Sequence, residues 1–274
     1  MDATDDLAIV QLGPEEAAGG LALSSEAHWN QNEADWSFFL SSGTVFGIRA
    51  PDHRLIATAA LMPYGASDAW ISMVLVAASW RRRGLATRLV DECLKKARSL
   101  GVTCWLDATP AGAAVYGPLG FAPTIQLRRM RLDLPPAMTG APLPRGKLGD
   151  FITCDISAMG FDRRTLLEEL AGRPGSRLVS NGDALALVRS GRTARHIGPV
   201  FAESSAHALK MVRDIAASEA GPLLIDAVTT QHGFLEGLAE CGWREERPFQ
   251  RMWFGRTTSH ADEPPFAVAG PEYG

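Results

Sequence analysis

The stretch WRRRGLATRL, residues 80–89, follows the apolar segment AWISMVLV (69–76). It opens a run in which Ala86, Leu89, Val90, Cys93, Leu94, Ala97 and Leu100 recur at helical spacing. That pattern predicts a strand, a turn and the start of a helix. The first turn of a helix has backbone N–H groups without partners and carries the positive end of the macrodipole, so it attracts anions. Gly84 and Ala86 lack bulk, which lets a phosphate approach the backbone, and Arg81, Arg82 and Arg83 add charge-assisted contacts. The expected ligand is a pyrophosphate. Neither a GxxxxGK[ST] loop nor a GxGxxG turn after a strand is present, so two familiar phosphate-binding loops are excluded.

The bulk of the chain narrows the alternatives. With 274 residues, 46% hydrophobic and 21% charged, it has the composition of a globular protein of one or two domains. A net charge of -4 argues against nucleic-acid binding, which needs basic residues spread over a face with interleaved aromatics. No apolar stretch is long enough to cross a bilayer, and the acidic start MDATDD lacks a signal-peptide pattern. The expectation is therefore a cytoplasmic protein with no membrane partner. Cys93, Cys104, Cys154 and Cys241 are far apart without CxxC spacing, and the six histidines are scattered, so buried reduced thiols and no metal site are expected.

The stretch DLPPAMTGAPLPRGKLGD (133–150) separates two patterned halves and reads as a linker. In the first half, short helices (PEEAAGGLAL, ADWSFFL) precede strands at TVFGIRA, RLIATAALM and AWISMVLV. After the amphipathic helix come a strand (VTCWLDA), a short helix (AGAAVYGPLG) and a last strand (TIQLRRMRL). The second half runs through DRRTLLEELAG, SRLVS, DALALVRS, HIGPVFA, HALKMVRDIAASEA, PLLIDAV, GFLEGLAECG and FQRMWFG in the same order of elements. Residues also recur: WLDA (105–108) matches LIDA (224–227), Gly120-Phe121 matches Gly242-Trp243, and Arg129-Met130 matches Arg251-Met252. A diverged duplication follows, with an α/β domain in each half. The boundaries read from this pattern are 1–133 and 149–258, a linker over 134–148 and a tail over 259–274.

Arg81-Arg82-Arg83-Gly84-Leu85-Ala86 resembles the R/Q-x-x-G-x-G/A motif of the GNAT superfamily of acetyl-CoA-dependent N-acyltransferases, and AAVYGPLGF resembles that family's later Y-x-x-x-G-F motif. HWNQNEADW, MVLVAASWRRRGLAT and LDATPAG are similar to features of bacterial tandem members, whose smaller second domain lacks the motif. Here GPVFAESSAHALKM stands where the arginine-glycine loop belongs, and Leu238 stands at the position of Tyr116. The resemblance implies a GNAT fold in each half, with a mixed sheet flanked by helices, an active first domain and a degenerate second one. The implied activity is acetyl transfer to a primary amine that the sequence does not identify. The alternative is a non-catalytic acyl-CoA sensor. Oligomeric state is not legible.

What the resemblance implies for residues is that backbone amides from Arg82 to Thr87, with Arg81, bind pyrophosphate. Val74, Leu75 and Val76 would pair their backbone with the pantetheine arm as an added strand does, while their side chains serve the core. Tyr116 would protonate the departing CoA thiolate, unless it only packs. The central strand lacks the acid that many GNAT enzymes carry there. The base candidates are Asp107, with a strand-end cap as the alternative, and Glu33 or Asp35, with helix capping as the alternative. Trp29, Trp36 and Trp70 could line an acceptor pocket or pack in the core. Arg128, Arg129 and Arg131 read as the solvent side of an edge strand, and the tail FAVAGPEYG as a frayed terminus, with docking near the acceptor site as the alternative.

Overall fold

The computed structural model describes residues 7–134, 143–256 and 263–274, and most of the expected linker lies outside them. The elements of the first half are β1 (Ile9–Gln11), α1 (Ala17–Glu26), α2 (Glu33–Ser42), β2 (Thr44–Arg49), β3 (Leu55–Tyr64), β4 (Asp68–Val76), α3 (Leu85–Leu100), β5 (Thr103–Ala108), α4 (Pro110–Tyr116) and β6 (Ala122–Leu132). Those of the second are α5 (Leu148–Met159), α6 (Arg164–Gly172), β7 (Arg177–Ser180), β8 (Ala184–Arg189), β9 (Arg195–Ala202), α7 (Ser205–Ala216), β10 (Leu223–Val228), α8 (His232–Glu240) and β11 (Arg244–Phe254). The element order repeats as the sequence suggests, except that α5 occupies a stretch whose pattern had singled out no helix.

The compact units do not follow the two halves of the sequence. One comprises residues 1–106, 112–122 and 253–256, and the other 107–111, 123–252 and 257–274. In the first unit the strands run β1, β2, β3, β4, β5, with the end of β11 closing the series. β1 to β4 are joined antiparallel and β4 to β5 parallel. In the second the order is β11, β6, β10, β9, β8, β7. The first half thus gives up its last strand: β6 pairs antiparallel with β10, and Met130 and Leu132 pack in the second unit's core with Ile225, Trp243 and Phe234. In return Trp253 and Phe254 join the first unit. There Trp253 packs against Trp105 at 6.4 Å, Phe254 packs against Phe121 at 5.6 Å, and Arg98 lies over the Phe254 ring at 5.2 Å.

The reading of TIQLRRMRL as an edge strand is overturned by this exchange. β6 lies between β11 and β10, and Arg129 is only 5% exposed. Its guanidinium forms two 2.8 Å bonds to Asp226, directly opposite in the β6–β10 register, and stacks over Phe249. His196 bonds the same carboxylate at 2.8 Å. Arg129 and His196 hold Asp226 below the usual carboxylate range against the effect of burial. Burial in turn pushes His196 down, so it stays a neutral donor.

The tail also departs from expectation. From Pro265 to Gly270 it is buried, as are Glu272, Tyr273 and Gly274. Arg163, itself paired with Asp155, donates to the carbonyls of Tyr273 and Gly274, and Arg189 donates to Ala269 O and to the Glu272 carboxylate. These buried cations need anionic or carbonyl partners, and the tail supplies them. The sequence offered no signal because the partners lie about a hundred residues away along the chain.

Two outcomes test the exchange. A chain ended at residue 133 loses Trp253, Phe254 and every partner of β6, so it gives no cooperative unfolding transition by circular dichroism; two-state folding of that fragment would contradict the topology. Arg129→Leu leaves a buried carboxylate without its cation and costs about 3–5 kcal/mol in urea unfolding, most of it recovered by adding Asp226→Leu.

Candidate functional site

β4 carries the local departure that shapes the site. Met73 sits at φ 51, and the β3–β4 register shifts between Thr58 and Ala60, with the Thr58 hydroxyl donating to Met73 O at 2.8 Å. A bulge of this kind re-aims the strand. Pairing with β5 is confined to Asp68, Ala69 and Trp70 opposite Thr103, Cys104 and Trp105, where the Trp105 indole donates to Asp68 at 2.7 Å. Beyond Trp70 the two strands have no paired residues. Val74 and Val76 are half-buried and Leu75 is buried. Residues 74–76 thus lie on the part of β4 that has no partner residues on β5, and Leu75 packs inward.

The turn after β4 is held by short bonds to neighbouring groups. Ala78 N donates to Glu26 Oε1 at 2.9 Å, Arg81 Nε to Val76 O at 3.1 Å, and Arg83 to Ser79 O at 3.2 Å while stacking over Trp80. Arg81, Arg82, Arg83, Gly84 and Thr87 are exposed, Ala86 is half-buried and Leu85 is buried. No carboxylate pairs with the three arginines among the described residues. Gly84, at φ 75, is the N-cap of α3 and supplies no side-chain hydrogen bond, so the amides of the first turn are not capped from within. A Cβ on Gly84 would meet nothing within 4 Å. The result is an open, positively polarised cradle. Arg82 also adopts a left-handed conformation, φ 62, which favours glycine and is costly for arginine.

Helix α3 buries Leu85, Leu89, Val90, Cys93, Leu94 and Ala97, close to the stripe read from the sequence. The differences are at its ends, where Leu85 replaces Ala86 in the core and Leu100 is half exposed. Cys93 and Cys104 are buried free thiols, with Cys104 pushed up to about 12 by burial. Tyr116 closes α4 in the same unit. It is 8% exposed and packs on Phe121 at 5.9 Å. Burial raises its phenol above the usual range, so it stays protonated near neutral pH.

Other candidate residues have different surroundings. Asp107 is fully buried, and both its oxygens accept from Arg251 at 2.9 Å, while burial still pushes the carboxyl up. Asp35 is the N3 residue of a capping box: it accepts from Asn32 N at 2.8 Å while Asn32 accepts from Asp35 N. That capping task, with full burial, removes it from an acceptor-facing role. Glu33 is exposed in the first turn of α2 and Trp29 is half-buried. Trp36 and Trp70 are fully buried, Trp36 donating to Ser24 Oγ at 3.0 Å, so both are core residues rather than pocket lining. Sequence reasoning passed over Ser72 and Gln31. Each is over nine-tenths buried, and Ser72 Oγ and Gln31 Oε1 have no hydrogen-bond partner among the described residues. An isolated serine or glutamine carries no periodic signal, so only burial could reveal them.

In the second unit the corresponding strand and helix are β9 and α7. Ser204 caps α7 with its own side chain, accepting from His207 N at 3.3 Å, and Leu238 is buried in α8. A cluster of Asp183, Glu203 and His207 brings possible cation ligands within 4.8 Å of one another, but both carboxylates are exposed.

Residues 16–121 match the family described as "Acetyltransferase (GNAT) family", and residues 151–267 match the "Acetyltransferase (GNAT) domain". The chain is 25% identical over 258 residues to an uncharacterized N-acetyltransferase of Bacillus subtilis, YitH, covering 90% of each. It is also 25% identical over 235 residues to a holothin acyltransferase of a Pseudoalteromonas strain, covering 80% of this chain and 78% of that one. Among solved structures it shares its fold with a putative acetyltransferase from Pyrococcus horikoshii (TM-score 0.80, 19% identity, 97% and 95% of the chains covered). The fold also matches a tandem GNAT protein from the clavulanic acid biosynthesis pathway (TM-score 0.65, 18% identity, 93% and 100% covered).

The left-handed Arg82 generates a stability test. Arg82→Gly relieves backbone strain and raises stability by up to about 1 kcal/mol in urea unfolding, net of glycine's greater unfolded-state entropy. A loss of stability would show that the arginine side chain holds the loop.

Proposed function

The chain belongs to the GNAT family of acetyltransferases and carries two of its domains in tandem. From that premise we propose that the first domain transfers an acetyl group directly from acetyl-CoA to a primary amine, in a complex holding both substrates. The observation that carries this reading is the combination, in one unit, of an uncapped α3 N-terminus behind Gly84, a β4 edge open beyond Trp70 and a buried, protonated Tyr116. Amides from Arg82 to Thr87 hold the pyrophosphate, with Arg81, Arg82 and Arg83 adding charge. The backbone of Val74, Leu75 and Val76 pairs with the pantetheine arm. This fit needs no rearrangement of the first turn, because no side chain competes for its amides.

The unprotonated amine attacks the thioester carbonyl carbon and the carbon–sulfur bond breaks. Tyr116 gives its proton to the departing sulfur and is reprotonated by the proton the amine releases, carried by solvent. Asp107 is assigned to anchoring β11 rather than to accepting that proton. Both its oxygens are held by Arg251, and the same pairing recurs at Asp226 and Arg129, in the domain without a cradle. Ser72 and Gln31 are assigned to the acceptor as hydrogen-bonding groups that the fold leaves without partners. Trp29 and Glu33 remain on the acceptor side by their partial exposure.

Acetyl-CoA at a hundred times its dissociation constant is expected to stabilise the chain by about 2.7 kcal/mol. Gly84→Glu, which places a carboxylate in the open cradle, abolishes that shift, whereas Arg82→Ala only weakens it. Tyr116→Phe lowers kcat about 100-fold or more with little change in acetyl-CoA affinity, read by release of free thiol. Unchanged turnover in Tyr116→Phe would remove Tyr116 from the mechanism, whereas no thiol release with any amine of a broad panel would leave only a binding protein.

A further inference from the structure

The second domain repeats the opening between its parallel strands, and there the chain itself is inside it. β9 and β10 pair at Arg195, His196 and Ile197 opposite Leu223, Leu224 and Ile225, and then diverge. Residues 266–268 run between them, antiparallel to both. On the β9 side, Val200 N donates to Ala267 O at 3.0 Å and Phe266 N to Val200 O at 2.9 Å. On the β10 side, Val228 N donates to Phe266 O and Val268 N to Asp226 O, each at 3.0 Å. The side chains continue the core: Phe266 packs edge-on against Phe234 at 5.5 Å, Ala267 is fully buried, and Val268 sits with Leu127, Val228 and Phe249.

We infer that the strand opening of the second domain is a receptor for an extended peptide, occupied by residues 266–268 of the same chain and thereby closed to a pantetheine arm. Three independent features support it. The backbone bonds on both sides are those of β-augmentation, which recognises main chain and takes its specificity from pockets for alternate side chains. The approach is close: a Cβ on Gly198 would lie 2.1 Å from Val268 O, so the slot is shaped to the peptide. Finally, the hollow of about 660 Å³ at the N-terminus of α7 is lined by Glu203 and Glu263, carboxylates that repel a pyrophosphate. The occupancy rests on the second unit alone. Only its reading as a replacement for the pantetheine arm rests on the function proposed for the first domain.

Hydrogen exchange on the full chain tests both parts. The amides of Val200, Val228, Phe266 and Val268 are expected to exchange at least about 1,000-fold more slowly than in a free peptide, with or without saturating acetyl-CoA. Acetyl-CoA should protect residues 74–76 and 82–87 in the first domain and leave residues 266–268 unchanged. Free-peptide rates at Phe266 and Val268, or their deprotection by acetyl-CoA, would overturn the inference. No change at 74–76 would instead count against the proposed function and leave this one standing. In Gly198→Ala, protection at 266–268 should fall at least tenfold while acetyl-CoA affinity is unchanged; retained protection overturns the inference. A chain ended at residue 262 should bind a synthetic peptide of residues 263–274 saturably, and the full chain should not. A folded truncated chain that ignores the peptide, or that takes up a second equivalent of acetyl-CoA while the peptide is bound, also overturns it.

Discussion

Two buried ion pairs, Arg129 with Asp226 and Arg251 with Asp107, are the constraint on which the rest of the structure depends. A carboxylate at the inner end of a sheet strand costs several kcal/mol to bury unless a cation meets it in good geometry. Both aspartates receive a bidentate guanidinium, and each guanidinium comes from the last strand of the opposite half of the sequence. A strand inserted in the wrong place, or shifted by one residue, would leave a charge unpaired and turn Met130 and Leu132 away from the core they fill. The pairs therefore fix the register of β6 against β10 and hold Arg251 of β11 at Asp107.

Duplication gave the chain two copies of the same backbone device, parallel strands that separate after three paired residues, and the copies have been finished differently. In the first, Gly84 cannot cap α3 with a side chain, and the arginines before it have no acidic partners among the described residues. In the second, Ser204 caps α7, two glutamates line the hollow in front of it, and the tail satisfies the strand backbone on both sides. Unpaired backbone in a buried cleft is costly, so a domain that gives up a ligand has to fill the cleft with something. The tail is what fills it, and Arg163 and Arg189 hold the tail in place.

Much of the local structure was legible in the residues. The helix after the arginine run, the succession of strands and helices along each half and the recurrence of Asp107 at Asp226 and of Arg129 at Arg251 all follow from spacing. So does the cradle, because a glycine at a helix start and the bulk-free residue after it act through the backbone. Site assignments that depend on exposure did not survive so well. Asp35, Trp36 and Trp70 are buried, the first by its capping box and the others by packing, while Ser72 and Gln31 gave no pattern at all.

Residue spacing alone determined that the chain is a duplicated α/β protein with an arginine-glycine turn at residues 81–87 in one copy only, since periodicity and turn chemistry are local properties. Only the tertiary structure decided which arginine meets which aspartate, because within the repeat either pairing satisfies the sequence equally well. It also decided that FAVAGPEYG is buried: its partners, Val200, Val228, Arg163 and Arg189, are brought to it by the closure of the second sheet. Contacts between residues far apart in the chain leave no periodic trace, so a terminus that completes a sheet and one that frays look alike until the strands are in place.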